Sequence, residues 1–148
     1  MIVSQKSRYA LRAVFELARR FGRGPAKIAE IAQEQAIPPR FLEVILSQLK
    51  QAGFLESRRG ADGGYFLTRR PEQISVGDVI RHTQGHSGLA HCGGARSKED
   101  CPFYGTCVFL PMWNRVQQAI TGVYDGTTFQ DLLAEDARVR RHVPAYSI

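Results

Sequence analysis

The sequence contains no run of about 18 consecutive apolar residues, so no segment of it is predicted to span a membrane. The first stretch, MIVSQKSRYALRAVFELARR, carries charges throughout and lacks the apolar core and small-residue cleavage site of a secretory signal. We therefore expect a cytoplasmic protein without a membrane partner. Thiols in that reducing compartment stay free for metal binding or redox chemistry.

Repeats, low-complexity segments and the common motifs of enzymes are also missing. The sequence shows no Ser/His/Asp arrangement, no Cys-x-x-Cys pair and no phosphate-binding loop. We therefore do not expect an enzyme. With 148 residues, of which 43% are apolar, the chain has the length of one globular domain and enough apolar residues for a core.

Acidic residues are too few to balance the basic ones, and the formal net charge is +6. Residues 1–80 hold 13 Lys and Arg against 8 Asp and Glu, a net of +5, whereas residues 81–148 hold 7 against 6, a net of +1. A basic region attracts a polyanion such as nucleic acid through electrostatic steering and counterion release. Charge alone fits a solvated basic surface equally well.

Apolar spacing predicts three helices followed by a β-hairpin. Residues 3–21 and 25–36 have helical spacing, and a helix over 39–52 carries an apolar stripe that begins at Leu42. The period then changes to two, and FLESRRGADGGYFLTRR indicates two strands around a glycine-rich turn. This order predicts a mostly α-helical protein with a winged helix-turn-helix DNA-binding domain and a two-stranded β wing.

In such a domain the third helix lies in the DNA major groove, and the wing reaches the neighbouring minor groove. The polar side of the helix near its start would contact bases, while the first helix would contact phosphates. The alternative is a three-helix domain whose outer face is only solvated. The predicted DNA-binding residues are Lys6, Pro39, Arg40, Glu43, Ser47, Arg58 and Arg59.

Two pairs at capping-box spacing predict further helix starts, Ser75 with Asp78 and Thr128 with Asp131. Between them, FLPMWNRVQQAITGVYDG predicts a long helix with one apolar side. A long apolar helix outside a complete domain needs a partner to bury it, and two-fold dimers suit palindromic DNA sites. We therefore expect a homodimer on a palindromic operator. The apolar side comprises Met112, Val116, Ala119, Ile120 and Val123.

These patterns divide the chain into four parts. We expect a DNA-binding domain over 1–82 and a cysteine-bearing segment over 83–108. A dimerisation helix with a short helix after it would occupy 109–137, and a loosely held tail 138–148.

All three cysteines of the chain lie in HCGGARSKEDCPFYGTC, at Cys92, Cys101 and Cys107. An odd number cannot pair completely into disulfides, and the spacing differs from the Cys-x-x-Cys knuckle of structural zinc sites. Thiolates wrapped by glycine-rich backbone suit an iron–sulfur cluster. Zinc bound with His86 or His91, or a regulatory disulfide between two of the cysteines, are the alternatives.

The chain resembles the Rrf2 family of transcriptional regulators in three features taken together. These are the opening SQKSRYALRAVFELA, the stretch IPPRFLEVILSQLKQAGFLESRRGADGGYFLTRRPEQISVGDVIR, and three cysteines before a long helix. That family includes the iron–sulfur cluster assembly regulator and a nitric-oxide-sensing repressor. The resemblance covers roughly residues 1–135, and LESRRGADGGYFL is its most specific part. It implies a winged-helix homodimer whose long C-terminal helices cross.

The resemblance also implies roles for single residues. Glu43 matches a base-reading glutamate, Arg59 matches a minor-groove arginine of the wing, and the three cysteines match ligands of a 2Fe–2S or 4Fe–4S cluster. The fourth ligand departs from the family patterns. Leu110 stands where the cluster-assembly regulator has histidine, and Arg8 stands where the nitric-oxide sensors have an acidic residue. The remaining candidates are His86, His91, Glu99, Asp100, water and a small thiol.

The sequence therefore predicts a homodimeric DNA-binding regulator that senses iron, redox state or nitric oxide through an iron–sulfur cluster. The alternatives are a winged-helix regulator with a zinc or thiol-redox site, and one that is controlled by a partner protein.

Overall fold

A computed structural model describes residues 3–84 and 99–142 of the chain. Within these ranges the secondary structure is mostly helical, with one antiparallel pair of strands. A short 3-10 turn, Pro71–Gln73, follows the second strand. The elements are α1 Gln5–Arg19, α2 Ile28–Gln35, α3 Pro39–Gln51, β1 Leu55–Arg58, β2 Gly64–Leu67, α4 Val76–Gln84, α5 Leu110–Gly126 and α6 Phe129–His142.

Helix α1 lies at the centre of the DNA-binding domain and packs against α2, α3, α4, α6 and β2. Its buried face includes Ala10, Val14 and Leu17, which recur at helical spacing. The apolar stripe predicted for the third helix is buried as well: Leu42 and Leu46 have no exposed surface. The predicted winged-helix arrangement is confirmed, because these faces build one core beneath the hairpin.

The turn between α2 and α3 depends on two local features. Ala36 ends α2 in the left-handed region at φ 47°, and the Ile37 N–H then donates to the Ala32 carbonyl over 2.9 Å. Pro39 occupies the first turn of α3, where the missing N–H of proline costs no helical hydrogen bond. The turn therefore holds α3 at the surface of the domain with its start exposed.

The wing is the hairpin of β1 and β2, in which Leu55 pairs with Leu67 and Arg58 with Gly64. Near its turn, the hairpin is anchored to the segment before α2 by two backbone hydrogen bonds between Ala26 and Tyr65, of 2.9 and 2.8 Å. Gly64 permits this approach: it adopts φ +150°, and a Cβ there would overlap the Ala26 carbonyl. The turn-side half of the hairpin is therefore fixed to the segment that leads into α2.

Both predicted capping boxes are formed. The Asp78 N–H donates to Ser75 Oγ at 3.1 Å, and the Ser75 N–H donates to the Asp78 carboxylate at 3.0 Å. The same reciprocal pair joins Thr128 and Asp131 at 2.9 and 3.1 Å. The backbones of Ser75 and Thr128 also form a β-bridge, which brings the starts of α4 and α6 together.

Helix α6 differs from its predicted place in the chain. Phe129 at its start is fully buried in the core of the DNA-binding domain, although the sequence division assigned it to the dimerisation part. Helix α6 also extends through His142, so its last residues occupy the start of the predicted tail over 138–148. The bridge between Ser75 and Thr128 returns the chain to the domain after α5 and places Phe129 in the core.

Helix α5 has no buried residue along its 17 positions. Its start contains Pro111 in the first turn, as expected, and its end contacts α4 through an ion pair between Arg81 and Asp125. Among the helices that the structure describes, none has the length and apolar character needed to cross a membrane.

Candidate nucleic-acid interface and cysteine segment

The outer face of α3 carries four of the predicted DNA-binding residues. Pro39, Arg40, Glu43 and Ser47 are all exposed and lie opposite the buried leucine-rich stripe of the same helix. Residues 40, 43 and 47 follow the i, i+3, i+7 spacing that places side chains on one helical face. The structure therefore brings these side chains together on the exposed surface of α3, which is the surface expected to enter a DNA major groove.

The wing carries the two predicted arginines at its far end. Arg58 is the last residue of β1, Arg59 begins the turn, and both are exposed. The turn closes with a hydrogen bond from the Gly63 N–H to the Gly60 carbonyl, 3.0 Å long. Gly63 is buried in the turn, and the turn has no room for a side chain there, since a Cβ would overlap the Arg58 carbonyl. The two guanidinium groups therefore project from a tightly closed hairpin.

Side-chain hydrogen bonds connect the end of the recognition helix α3 to the wing. Lys50 near the end of α3 donates through Nζ to Ser57 Oγ in β1 over 2.6 Å. Thr68, just after β2, donates to the Gly53 carbonyl over 2.6 Å. The orientation of the wing is therefore tied to the end of the helix that it flanks.

Lys6 is exposed in the first turn of α1, where the Ser4 side chain caps the helix by accepting from the Ser7 N–H at 3.1 Å. Ser7 itself is buried, and its Oγ lies 2.8 Å from Thr83 Oγ1 near the end of α4. The backbone below Lys6 is thus held to α4 by buried polar contacts.

Several carboxylates and guanidinium groups form ion pairs outside the recognition face, the exposed side of α3. Glu16 of α1, for example, binds Arg19 and Arg20 at 3.0 and 2.7 Å. Within the described ranges, ion pairs involve none of the predicted DNA contacts on α1, α3 and the wing. Their charges are available to phosphates and bases, which is the condition for counterion release on binding.

Glu16 has a lowered pKa although it is almost completely buried, at 2% exposure. Burial alone would raise the pKa of the carboxyl, but hydrogen bonds from Arg20 and Gln35 and the charges of Arg19 and Arg20 outweigh it. The carboxylate therefore stays ionised and clamps the end of α1 to α2 through Gln35, at 2.9 Å.

Two of the three predicted metal ligands lie in the described part of the chain. Cys101 and Cys107 are free thiols of intermediate burial. They bracket a turn in which the Tyr104 N–H donates to the Cys101 carbonyl at 2.9 Å and Gly105 adopts φ +81°. The third, Cys92, lies outside the described residues.

Thiols are the usual protein ligands of iron in iron–sulfur clusters, so the donor chemistry of this segment fits such a group. Over residues 3–84 and 99–142, however, no three His, Cys, Asp or Glu side chains lie close enough to hold a metal ion. The described residues therefore supply two of three expected thiolates and leave the complete ligand set as a prediction.

The candidate fourth ligands are divided in the same way. His86 and His91 lie outside the described residues, whereas Glu99 and Asp100 are exposed directly before Cys101. Leu110, which stands at the position of the histidine in the cluster-assembly regulator, is the first residue of α5.

The family model that matches residues 3–135 is Rrf2, described as an iron-dependent transcriptional regulator. This match spans the recognition helix, the wing, the cysteine segment and α5. The chain belongs to the Rrf2 family. Its members are DNA-binding transcriptional regulators, and this protein is one of them.

Two relatives of this Rrf2 protein illustrate the family. The transcriptional regulator CymR of Bacillus subtilis is 35% identical over 132 residues, which are 89% of this chain and 89% of CymR. The regulator IscR of Aliivibrio salmonicida is 32% identical over 136 residues, or 92% of this chain and 79% of IscR. Both are named as transcriptional regulators and neither as an enzyme, in agreement with the sequence-based expectation.

Among solved structures, IscR of T. potens superimposes on this Rrf2 protein with a TM-score of 0.76. The two chains share 34% identity, and the alignment covers 99% of this chain and 95% of that one. The predicted winged-helix fold therefore has experimentally solved counterparts among regulators of the same family.

Sequence reasoning missed two apolar residues on the recognition face. Phe41 and Val44 of α3 are 63% and 56% exposed. Their signal was present in the sequence, since both lie outside the apolar stripe that begins at Leu42.

Proposed function

We propose that this regulator is a homodimer that senses iron, redox state or nitric oxide through an iron–sulfur cluster held by Cys92, Cys101 and Cys107. The observation that carries the proposal is the state of the described cysteines. Cys101 and Cys107 are free, half-buried thiols on one turn directly before α5. The match to a family described as iron-dependent supports the same reading.

On DNA, α3 would lie in the major groove with Arg40, Glu43 and Ser47 near base edges. Arg58 and Arg59 would enter the neighbouring minor groove, where their positive charge is attracted to a narrow groove. Lys6 and the start of α3 at Pro39 would lie near the phosphate backbone and fix the register of the domain.

Dimerisation through α5 is supported by the exposure of its apolar side. Met112, Val116 and Val123 are 45%, 38% and 66% exposed, which leaves an apolar surface with no cover in the described part of the chain. Apolar surface that is contiguous and exposed in this way marks an interaction site. A second copy of α5 would cover it and place two recognition helices on a palindromic operator.

The cysteine segment lies between the two helices whose relative position would set the dimer geometry. Helix α4 ends at Gln84, ahead of the three cysteines in the sequence, and α5 begins at Leu110 after them. The end of α5 farthest from the segment contacts α4. Asp125 there pairs with Arg81 and lies close to Gly77, where a Cβ would overlap the Asp125 carboxylate. Reordering of the segment would therefore shift α5 against the DNA-binding domain, and a few kcal/mol between two geometries is enough to switch DNA occupancy.

Anaerobic purification followed by an absorption spectrum and counts of iron and sulfide tests the proposal. We expect a coloured protein with both elements, and a Cys101→Ala variant that folds but loses the colour. DNA binding should differ between the loaded and stripped forms of the wild type. Wild-type colour in Cys101→Ala would show that the ligand assignment is wrong.

The same measurements distinguish the alternatives. A colourless protein with stoichiometric zinc would replace the cluster by a zinc site of thiolates and histidine. A metal-free protein whose DNA binding changes with thiol oxidation would indicate a disulfide switch. DNA binding indifferent to metal and oxidant would indicate control by a partner protein.

A further inference from the structure

Val44 lies in the middle of the face that α3 presents to DNA. It follows Arg40 by four positions and precedes Ser47 by three, so it stands between them on the same helical face. Its side chain is 56% exposed. In the described part of the chain it belongs neither to the core nor to the partly buried residues packed against the core.

The neighbouring exposed residue has a different environment. Phe41 packs its ring against Tyr9 of α1, with centroids 6.4 Å apart and planes inclined by 49°. This contact accounts for an aromatic residue at the edge of the face. Val44 has a branched aliphatic side chain between this aromatic edge and the polar residues Arg40 and Ser47, and more than half of it is exposed to water in the free protein. A bound partner that covers this side chain would gain the free energy of removing its apolar surface from water.

Among the groups in a major groove, the C5-methyl of thymine is the one with which an aliphatic side chain makes a favourable contact. We propose that Val44 is a specificity-determining residue that packs against a thymine methyl group. This inference rests on the proposed placement of α3 in the major groove.

The adjacent residue makes the inference more specific. Glu43 precedes Val44 directly, and an ionised carboxylate in the major groove accepts from the N4 amino group of cytosine. Consecutive residues of a helix differ by about 1.5 Å along its axis, which is less than the spacing of stacked bases. The thymine contacted by Val44 should therefore be next to the cytosine contacted by Glu43 or separated from it by one base pair.

The test begins with selection of DNA duplexes from a random pool by the full chain, purified anaerobically. Each thymine of the enriched half-site is then replaced singly by deoxyuridine, which lacks only the C5-methyl group. We expect one position at which deoxyuridine weakens wild-type binding about fourfold, equivalent to about 0.8 kcal/mol for one methyl-sized contact. Val44→Ala lacks the two γ-methyl groups and should discriminate between the thymine and deoxyuridine duplexes less than the wild type does.

Val139→Ala is the matched control, because it makes the same truncation at a residue of α6 that is 50% exposed. It should discriminate thymine from deoxyuridine as the wild type does. Full discrimination by Val44→Ala, or a half-site in which no deoxyuridine substitution has an effect, would overturn the assignment of Val44 alone. Failure of the selection to enrich any sequence would instead overturn the proposed DNA-reading face and this inference with it.

Discussion

Ser7 Oγ lies 2.8 Å from Thr83 Oγ1 and joins the first turn of α1 to the last turn of α4. The contact belongs to a small polar cluster, because Ser7 Oγ also donates to Gln84 Oε1 at 3.2 Å and the Ser4 N–H donates to the same oxygen at 3.1 Å. The cluster connects the helix that carries Lys6 to the end of α4, where the cysteine-bearing segment begins. A buried hydroxyl in this position stabilises the junction only while its partners are present.

Ser7→Ala should lower the free energy of unfolding by about 1 kcal/mol, because it removes the hydroxyl and leaves Gln84 Oε1 with one donor fewer. Urea denaturation of the wild type and the variant measures this difference. Ser47→Ala is the control, since Ser47 is exposed on α3. It should change stability by less than about 0.5 kcal/mol while altering DNA binding. Equal stabilities of wild type and Ser7→Ala would contradict the role assigned to the cluster.

The buried ion pairs of Glu16 predict a pH dependence of stability. The pKa of Glu16 is lowered in the folded protein, so the unfolded chain binds the proton more readily and acid favours unfolding. The stabilisation by Glu16 is therefore present above the unfolded pKa of a glutamate and is lost as the pH falls through the folded pKa. Glu16→Gln should show a smaller loss of stability between neutral and acidic pH than the wild type.

Denaturation curves at a series of pH values from neutral to acidic measure this effect. At neutral pH, Glu16→Gln should be destabilised by about 2 kcal/mol, because Arg19 and Arg20 lose a hydrogen-bonded counter-charge. Glu56→Gln removes the same charge from an exposed position and should change stability at neutral pH by less than about 0.5 kcal/mol. A pH profile of Glu16→Gln parallel to that of the wild type would contradict the assignment.

We expect a steric effect of substitution at Gly64, where the wing approaches the segment before α2. Gly64→Ala should destabilise the domain by about 3 kcal/mol and lower DNA affinity, because the Cβ overlaps the Ala26 carbonyl and φ is unfavourable for alanine. Gly122→Ala on α5 is the control, since a Cβ there meets no atom within 4 Å. Thermal denaturation and DNA binding measure both properties. Wild-type behaviour of Gly64→Ala would show that the Ala26–Tyr65 bridge does not position the wing.

The recognition helix and the wing could be predicted from the sequence because their signals are local. Periodic apolar residues mark the buried face of α3, and the glycines between the strands mark the turn. The ends of the predicted elements agree with the structure within a few residues. Capping pairs such as Ser75 with Asp78 were equally visible, because both partners lie within four positions of each other.

The burial of Phe129 could not be predicted in the same way. It results from a bridge between Ser75 and Thr128, which are far apart in the sequence, and such a contact leaves no periodic signal. The cysteine segment has no periodicity either, so its residue types indicate its chemistry but not its complete ligand set. The sequence indicates that Val44 lies outside the buried stripe of α3. Its exposed position beside the predicted DNA contacts is evident only from the structure.

Glu43 and Arg59 are expected to contribute differently to DNA binding. Glu43→Ala should relax base specificity more than it lowers affinity, because the carboxylate selects a cytosine amino group and is repelled by acceptors. Arg59→Ala should weaken binding on all sequences and reduce the slope of log affinity against log salt by about 1 for each bound subunit. Titrations of cognate and altered duplexes at several salt concentrations separate the two. Equal losses on every sequence for both variants would contradict this division.

The exposed side of α5 predicts that dimer formation depends on its apolar character. Val116→Glu combined with Val123→Glu should give a monomer, because two carboxylates would have to be desolvated in the interface. Analytical ultracentrifugation gives the mass, and circular dichroism should show an unchanged fold, since α5 has no buried residue to lose. Val139→Glu places the same charge on the exposed surface of α6 and should leave a dimer. A dimer of the double variant would show that another surface joins the subunits. A monomer should bind a palindromic duplex far more weakly than the wild type does, because the two half-sites are no longer bound by one linked pair of subunits.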